Sequence, residues 1–352
     1  MGFAEELVAA PRGRRSCVSA LAGRQVLRPD EVGELVERDL GTPGARELLA
    51  ALASSVDVAM YWEEPDAVDQ ALADPGIGPR LLPVARAIAS APAARWWSSG
   101  IDLDAQVHVE MERTTPPTDR PGAEIMSRWR DETVEDERRS RQRPSDPSAN
   151  FSGHWWSAPP RELITTTRAR PAALGLCLEE DSFGPEWAWC RSVRATREPR
   201  VLEITGPEAW CEIVERYPLE VTLSRRHDWW RVTGWAGRWL IPDWNAVAAD
   251  HDAVHLTCAG YLTTAGRALP VGEARTMLAG WDPDQTYWFT DDLDVGEPVF
   301  WRGEPEDLAT WAPSDPDEVL PEPPPPPRPR GWRWRLRGLR TRPGQASAYR
   351  KG

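Results

Sequence analysis

The sequence predicts an α+β fold: an N-terminal helical module, then a mixed α+β domain with short strands, then a disordered tail rich in proline and basic residues. Apolar residues recur at helical spacing from Met1 to about Ala94, which indicates packed helices. From Asn150 onward, short β-branched and aromatic runs alternate with helical stretches, as is typical of an α+β domain. The 35 prolines and 26 glycines of the chain indicate many turns between these elements.

We divide the chain into four segments. They are a mainly helical module ending in a strand (residues 1–122), a charged helix or linker (123–149), a tryptophan-rich α+β domain (150–300), and a largely disordered tail that is acidic, then proline-rich, then rich in arginine and tryptophan (301–352). The linker is placed where apolar residues nearly vanish after Trp129 while acids and arginines alternate, because that pattern is typical of a solvent-exposed helix.

Helices account for most of the first segment. Thr42 and Pro43 open the clearest of them, because an N-cap residue and a first-turn proline precede an apolar stripe that begins at Leu48. Further helices are predicted from Pro29, over Pro65–Asp74 and over Arg80–Ala91. Each apolar stripe needs a partner that covers it, which predicts a small helical bundle.

The first predicted strand runs from Gln106 to Glu112. Its valines and methionine alternate with His108, Glu110 and Glu112, so the polar side chains share one face. We expect that face to lie in water on an edge strand. A histidine and a glutamate two residues apart would also suit a metal ion, but we predict no metal site.

The second half is predicted to mix strands with helices. Thr205 and Glu208 form a capping-box pattern after the strand Val201–Ile204, which predicts a helix there. Further strands are predicted over Leu163–Thr167, Leu174–Leu178 and Thr286–Thr290. Because no glycine-rich phosphate loop accompanies these elements, we expect a mixed sheet and not a doubly wound one.

The stretch from Arg225 to Leu262 holds five of the 20 tryptophans and three of the five histidines. We interpret it as a hairpin, a short helix and a strand. The hairpin would pair Trp230–Thr233 with Arg238–Ile241 across a turn that contains glycine. The helix would begin after Asp243 as its N-cap, and the strand would follow at Val254–Thr257.

Four consecutive residues form the best candidate ligand site: Arg225, Arg226, His227 and Asp228. Two permanent cations stand there beside a titratable ring and a carboxylate, which would suit an anionic group and a histidine tuned by its acidic neighbour.

Three more residues are predicted to line the same cleft. Trp230 would stack on a planar ligand. His154 in an aromatic turn and Arg168 at a strand end are placed where loop residues commonly contribute to function. We therefore predict a small anionic, nucleotide-like ligand, while the sequence assigns no catalytic residue and no cofactor.

Several function classes are disfavoured by motifs that the sequence lacks. It has no G-x-S-x-G elbow, no P-loop and no G-x-G-x-x-G fingerprint, which argues against serine hydrolases, P-loop enzymes and Rossmann enzymes. The five scattered cysteines include no C-x-x-C pair and predict neither a disulfide framework nor a thiolate zinc site. We find no apolar run that could cross a membrane and no signal peptide, so we expect a cytoplasmic protein.

The net charge of −13 is distributed unevenly. From Pro321 to Gly352, nine basic residues stand against Glu322. The remaining chain is strongly acidic and therefore a poor partner for nucleic acid. In the tail, arginine alternates with apolar residues from Trp332 to Arg337. We predict a solvated tail, with contacts to an anionic surface or to its own acidic segment Asp282–Glu318 as alternatives.

Part of the chain resembles a group of tryptophan-rich actinobacterial proteins with no assigned activity. The resemblance is in GHWWSAP, ITGPEAWCEIVERYP, SRRHDWWRVTGWAGRWLIPDW and AGWDPDQTYW, and it covers about Asn150 to Asp292. It implies a boundary near Asn150 and a bacterial cytoplasmic setting, and it implies no site residue.

Three functions are compatible with the sequence. The first is a binding or effector domain for the nucleotide-like ligand described above. The second is an NAD-consuming, ADP-ribosyltransferase-like enzyme, for which Arg161, Thr165–Thr167 and Glu203 occur in the order that this class uses. The third is a non-catalytic interaction protein that uses its helices and its tail.

Overall fold

A computed structural model describes residues 2–23, 25–111, 120–170, 173–180, 185–304 and 307–315. Within these ranges the protein has the predicted α+β fold, in which N-terminal helices precede a mixed sheet and its helices. The proline-rich and arginine-rich tail from residue 316 lies outside the described residues, as does Glu112.

The N-terminal part is helical, as the apolar stripes predicted. Its helices are α1 (Phe3–Ala9), α2 (Pro11–Ala22), α3 (Val32–Leu35), α4 (Ala45–Asp57), α5 (Ala67–Leu72) and α6 (Ile77–Ser90). Helix α4 begins two residues later than predicted, because the Glu47 side chain accepts a hydrogen bond from the backbone N–H of Gly44 and so caps the helix there. Leu7, Leu52 and Leu81 are fully buried, so these helices pack as a bundle.

The second half alternates strands with helices. The helices are α7 (Gly122–Arg139), α8 (Pro207–Arg216), α9 (Thr222–Thr233), α10 (Trp244–Asp250) and α11 (Cys258–Thr264). The strands are β1 (Gln106–Met111), β2 (Thr165–Arg168), β3 (Trp187–Ala195), β4 (Val201–Ile204), β5 (Pro218–Glu220), β6 (Leu240–Pro242), β7 (Ala253–Leu256), β8 (Leu269–Val271), β9 (Ala274–Thr276), β10 (Thr286–Trp288), β11 (Leu293–Val295), β12 (Val299–Glu304) and β13 (Asp307–Pro313).

The described residues form a main sheet in the order β13-β12-β3-β1-β2-β10-β7-β4, and β11 also pairs with β3. Strands β4 and β7 run parallel, whereas the other neighbours are antiparallel, so the sheet is mixed as predicted. Strand β1 precedes α7 in the chain but lies between β2 and β3, which follow α7. The division of the chain into four segments stays a prediction, and any such division must allow for this shared sheet.

The expectation that the polar face of β1 lies in water is wrong. The strand is central, and the side chains of Gln106, His108 and Glu110 are buried. Alternation identifies which residues share a face, but it does not tell which elements cover that face. A strand in the middle of a sheet has neighbours on both edges, so its polar side chains are removed from water and need partners.

The predicted hairpin is also wrong in its first strand, because Trp230–Thr233 belongs to helix α9. The helix ends at Gly234, which has φ of 69° and closes the last turn instead of a hairpin. At its start, the carboxylate of Glu137 on α7 accepts the backbone N–H groups of Leu223 and Ser224, each at 2.8 Å. This cap comes from a residue far away in sequence and outweighs the strand preference of the aromatic run.

Other local predictions had mixed outcomes. The strand Val201–Ile204 and the N-cap Asp243 are confirmed. Leu174–Leu176 is a 3-10 turn and not a strand, because the backbone N–H of Gly175 donates to the Thr167 hydroxyl and Gly175 lies against Val109.

Helix α8 starts after Gly206 without a side-chain cap, so the predicted capping box of Thr205 and Glu208 is wrong. Strands β12 and β13 extend to Pro313, so the beginning of the segment predicted as a disordered tail (301–352) contains strands.

Helix α7, predicted as a charged helix or linker, is amphipathic. Ile125, Met126 and Trp129 are buried, and the helix packs against α9 and α10. The main apolar core is continuous from the N-terminal helices to the tryptophans of the second half, including Trp210 and Trp244. Among the described residues, no helix has both the length and the apolar composition that a bilayer crossing requires.

Candidate functional site

The four residues predicted as a ligand site lie on helix α9. Arg225 is 2% exposed, its Nε donates to the carbonyl of Trp156 at 3.3 Å, and its Nη1 lies 3.5 Å from Oδ2 of Asp136. Burial lowers the pKa of Arg225 to about 10. The guanidinium is therefore enclosed between α7 and the segment after it.

The other residues of this group also bind protein atoms. Arg226 donates to the carbonyls of Ser140 and Arg143. Asp228 accepts from the backbone N–H of Gly153 at 3.0 Å and from Arg231 at 2.9 Å.

The two aromatic rings of the predicted set also lie on α9. The His227 ring centroid lies 5.3 Å from that of Phe151, and burial lowers the pKa of His227. Trp230 is half-buried. These contacts attach α9 to the chain between α7 and β2.

The structure brings only part of the predicted set together. His154 and Arg225 share the carboxylate of Asp136, with Nδ1 of His154 at 3.0 Å from Oδ2, and Arg143 binds its other oxygen at 2.9 Å. Although burial alone would raise it, the hydrogen bond from His154 and these cations lower the pKa of Asp136. Arg168 lies elsewhere, in the sheet. Ligand binding at Arg225–Asp228 stays a prediction: protein atoms bind Asp228 and both arginines, whereas neither ring nitrogen of His227 has a well-formed hydrogen bond to a described residue.

A second set of polar side chains lies across the main sheet. The strand registers place one residue from each of six strands in a row on the same face: Arg191, His108, Thr166, Thr286, His255 and Glu203. We name this surface the polar face. All of these side chains except Glu203 are buried, which is costly unless each polar atom has a partner.

The middle of the polar face is filled by protein. The Trp288 indole N–H donates to the Thr166 hydroxyl at 2.9 Å, and that hydroxyl donates to Oε1 of Gln106 at 2.5 Å. The indole therefore separates two ionisable centres, one on each side.

The first centre, which we name the Asp284 network, consists of Arg168, Asp284, His255 and Glu203. Asp284 Oδ1 accepts from Nε of Arg168 at 2.7 Å, and its Oδ2 accepts from the backbone N–H of that residue at 2.9 Å. Nδ1 of His255 lies 2.6 Å from Oε2 of Glu203, and its Nε2 lies 3.6 Å from Oδ1 of Asp284. Two carboxylates thus enclose the ring and balance its charge and that of the arginine.

The protonation of His255 follows from these partners. Burial alone would lower its pKa, but the hydrogen bonds to Asp284 and Glu203 raise it. Cys258 is close to this network, and burial raises the pKa of its thiol well above the usual value, so it is not a thiolate nucleophile. Asp284 has φ of 59°, a conformation that aspartate tolerates better than most residues.

Glu203 is the member of the Asp284 network that reaches solvent. Its side chain is 30% exposed, compared with 1% for His255. Its Oε1 accepts from the backbone N–H of Ile101 at 2.9 Å. An accessible carboxylate with one oxygen fixed by backbone and the other by an imidazole is held in a defined orientation.

The second centre, which we name the Glu110 cluster, consists of His108, Glu110 and Arg191. Nδ1 of His108 lies 2.7 Å from the carbonyl of Thr165. Because a carbonyl only accepts, Nδ1 carries a ring proton and donates it to this carbonyl. Nε2 of the same ring lies 3.4 Å from Oε1 of Glu110, without the alignment of a hydrogen bond.

The Glu110 carboxylate has no well-formed hydrogen bond to any described residue, and neither has Nε2 of His108. The nearest cation is Nε of Arg191, 3.8 Å from Oε2. Trp189 stands directly opposite Glu110 on the neighbouring strand, and its ring centroid lies 5.0 Å from that of Phe300. The cluster therefore combines buried polar atoms that lack a well-formed hydrogen bond with the adjacent aromatic rings of Trp189 and Phe300.

No protein-family model, curated protein or solved structure matches this chain. Within the described ranges, no three side chains of the His, Cys, Asp or Glu type are grouped so that they could hold a metal ion. Function must therefore be inferred from the geometry of these two centres.

Sequence patterns identified some of these residues without their role. The alternation in β1 placed His108 and Glu110 on one face but assigned that face to water. Glu203 was considered only for a transferase, and His255 was only part of the predicted strand Val254–Thr257. Nothing in the local sequence marks Asp284, whose partner Arg168 is 116 positions away.

Proposed function

We propose that the protein binds a small nucleotide-like molecule at the Glu110 cluster. The observation that supports this proposal is a pair of buried atoms, Nε2 of His108 and Oε1 of Glu110, which face each other at 3.4 Å and have no well-formed hydrogen bond to a described residue. A ligand that donates a hydrogen bond would match the Glu110 carboxylate. We also propose a cytoplasmic, actinobacterial setting, in line with the resemblance given above.

The energetic argument concerns the state without ligand. A buried polar group without a partner costs about 1–3 kcal/mol, and more if it is charged. Glu110 and His108 are both buried, so the chain tolerates a cost that a bound donor would remove. Each unsatisfied group of this kind needs an explanation, such as a catalytic role or a bound water, ion or ligand.

The surroundings favour a particular ligand chemistry. A carboxylate accepts from hydroxyl and amino groups, which the sugar and base of a nucleoside provide. The aromatic wall of Trp189 and Phe300 suits a planar ring. The guanidinium of Arg191 lies 3.8 Å from the Glu110 carboxylate and offsets part of its negative charge. The ligand class proposed here is the one predicted from the sequence, but the proposed site lies at a different place in the chain.

Glu110→Gln is expected to weaken binding of the ligand at least tenfold, because an amide replaces the charged acceptor and hydrogen bonds to charged groups contribute about 1.5–3 kcal/mol. The measurement is a thermal-shift screen with AMP, ADP, ADP-ribose and NAD, followed by titration calorimetry of any hit. Glu208→Gln, which changes an exposed acid on α8, is the matched control.

A further variant separates the two candidate sites. Arg226→Ala should retain the ligand if it binds at the Glu110 cluster and lose it if it binds on α9. The proposal is wrong if no compound in the screen binds, or if Glu110→Gln binds a hit as tightly as the wild type does.

An NAD-consuming transferase is the second candidate. It is favoured by the exposure of Glu203 and by the position of Thr166 on the same sheet face. Arg161, the third residue of that hypothesis, is in a turn ahead of β2 and not on the sheet. The test is release of nicotinamide from NAD, which Glu203→Gln should abolish. Release that persists in this variant counts against the candidate.

A further inference from the structure

The N-terminal helices meet the second half of the chain at a group of ionisable side chains, of which the two tyrosines are buried and the two acids are half-buried. Helices α1 and α2 pack against α11. Where they meet, Tyr61 from the chain after α4 and Tyr261 of α11 lie close to Glu180. We name these three residues and Asp282 the Glu180 junction.

Glu180 forms hydrogen bonds with the backbone of Gly280 and with the side chain of Asp282. Its Oε2 accepts from the backbone N–H of Gly280, and its own backbone N–H donates to Oδ1 of Asp282, both at 2.9 Å. Its Oε1 has no well-formed hydrogen bond to a described residue, nor have the hydroxyls of Tyr61 and Tyr261. Ionisation would place negative charge on this buried oxygen, and although the Tyr261 phenol favours the ionised form, burial and the charge of Asp282 oppose it more strongly.

Charged groups from the neighbouring elements do not neutralise Glu180. The guanidinium of Arg12 on α2 faces the junction, but it binds Asp69 of α5 and the carbonyl of Ser55. On the other side, Arg161 and Tyr287 lie near Asp282, whose Oδ2 accepts from Gln285 at 3.0 Å. The carboxyl of Glu180 thus has the carboxyl of Asp282 as a neighbour, and the guanidinium of Arg12 is already paired with the carboxylate of Asp69.

We propose that the Glu180 junction is a proton-linked contact: protonated Glu180 holds the N-terminal helices against α11, and ionised Glu180 loosens them. Burial, and after it the charge of Asp282, raises the pKa of Glu180 well above its usual value. Burial also raises the pKa of Asp282 to about 6. Protonated Glu180 gains an O–H donor, which the phenol oxygens beside it can accept.

The direction of the pH effect follows from linkage. A carboxyl whose pKa is higher in the folded state than in the unfolded state stabilises the fold below the unfolded value, and that stability is lost as the pH rises through the folded value. For Asp282 the loss occurs between about 4 and about 6, and for Glu180 it continues to higher pH. His255 acts in the same direction, since its pKa is also raised, so a matched variant is required.

Hydrogen–deuterium exchange of the wild type and Glu180→Gln, corrected for the intrinsic effect of pH, tests the proposal. In the wild type, the amides of α1, α2 and α11 are expected to lose protection by roughly tenfold for each pH unit above the point at which Glu180 ionises. In Glu180→Gln these amides should keep their protection, because glutamine stays neutral. Glu208→Gln, an exposed acid changed in the same way, should respond like the wild type.

Two outcomes would overturn the proposal. One is equal loss of protection in the wild type and Glu180→Gln. The other is a loss spread equally over the helices and the central strands β7 and β10, which would indicate global destabilisation. If Glu180→Gln does not fold, Asp282→Asn replaces it: removal of the neighbouring charge should move the loss of protection to lower pH, and an unchanged profile would contradict the proposal.

Discussion

Replacement of Asp284 by alanine is expected to lower the free energy of unfolding by about 4 kcal/mol, because removal of one partner from a buried ion pair leaves an uncompensated charge. Arg168 and His255 are both buried and both face this carboxylate. Alanine also tolerates the left-handed backbone of Asp284 poorly, at a cost of about 1 kcal/mol. Urea unfolding followed by tryptophan fluorescence measures the loss.

Two comparisons separate these contributions. Asp284→Asn keeps a residue that tolerates positive φ, so its loss reports the charge alone and should be about 3 kcal/mol. Asp294→Asn changes an exposed acid on β11 and should stay within about 0.5 kcal/mol of the wild type. The loss in Asp284→Asn should shrink as the pH rises through the raised pKa of His255, since the neutral ring no longer needs the carboxylate. A loss below about 1 kcal/mol at neutral pH would contradict the assigned role of the network.

Replacement of Arg225 by methionine is expected to lower the free energy of unfolding by about 3 kcal/mol, since the variant breaks a buried ion pair with Asp136. The loss is at the lower end of the range for such pairs because Arg143 and His154 still bind that carboxylate. Methionine fills nearly the same volume, so the loss reports the polar contacts and not a cavity. The same unfolding measurement applies.

Arg226→Met is the matched control for Arg225. That side chain is half-buried and donates to two carbonyls, so its loss should be about 1 kcal/mol. The ligand hypothesis for α9 makes the opposite forecast: both variants would lose an anionic ligand while the unfolding free energy without ligand stayed nearly unchanged. Equal and small losses would therefore support a binding role and contradict the structural one.

Local patterns in the sequence were enough to predict several elements. The apolar stripe that begins at Leu48 and the alternation from Gln106 predicted α4 and β1, because helical and strand periods depend only on neighbours in the chain. The run Val201–Ile204 and the N-cap at Asp243 were predicted for the same reason. These patterns do not depend on which elements pack against the segment in the folded protein.

The candidate site depended on contacts that no local pattern contains. The aromatic run at Trp230–Thr233 favoured a strand, yet Glu137 caps the helix that contains it. Asp284 meets Arg168 and His255 only after the sheet has brought their strands together. The four residues from Arg225 to Asp228 suited an anion in sequence, yet folding directs them to α7 and to neighbouring backbone.

The sequence by itself determined the fold class, the helical N-terminal module and which side chains of β1 share a face. Only the tertiary structure decided that this face is buried and that His108 and Glu110 oppose each other within it. The physical reason is that the period of a strand is set by its own backbone, whereas burial is set by the strands and helices that pack around it. In this protein the strand with the candidate site comes early in the chain, and both of its neighbours in the sheet come after α7.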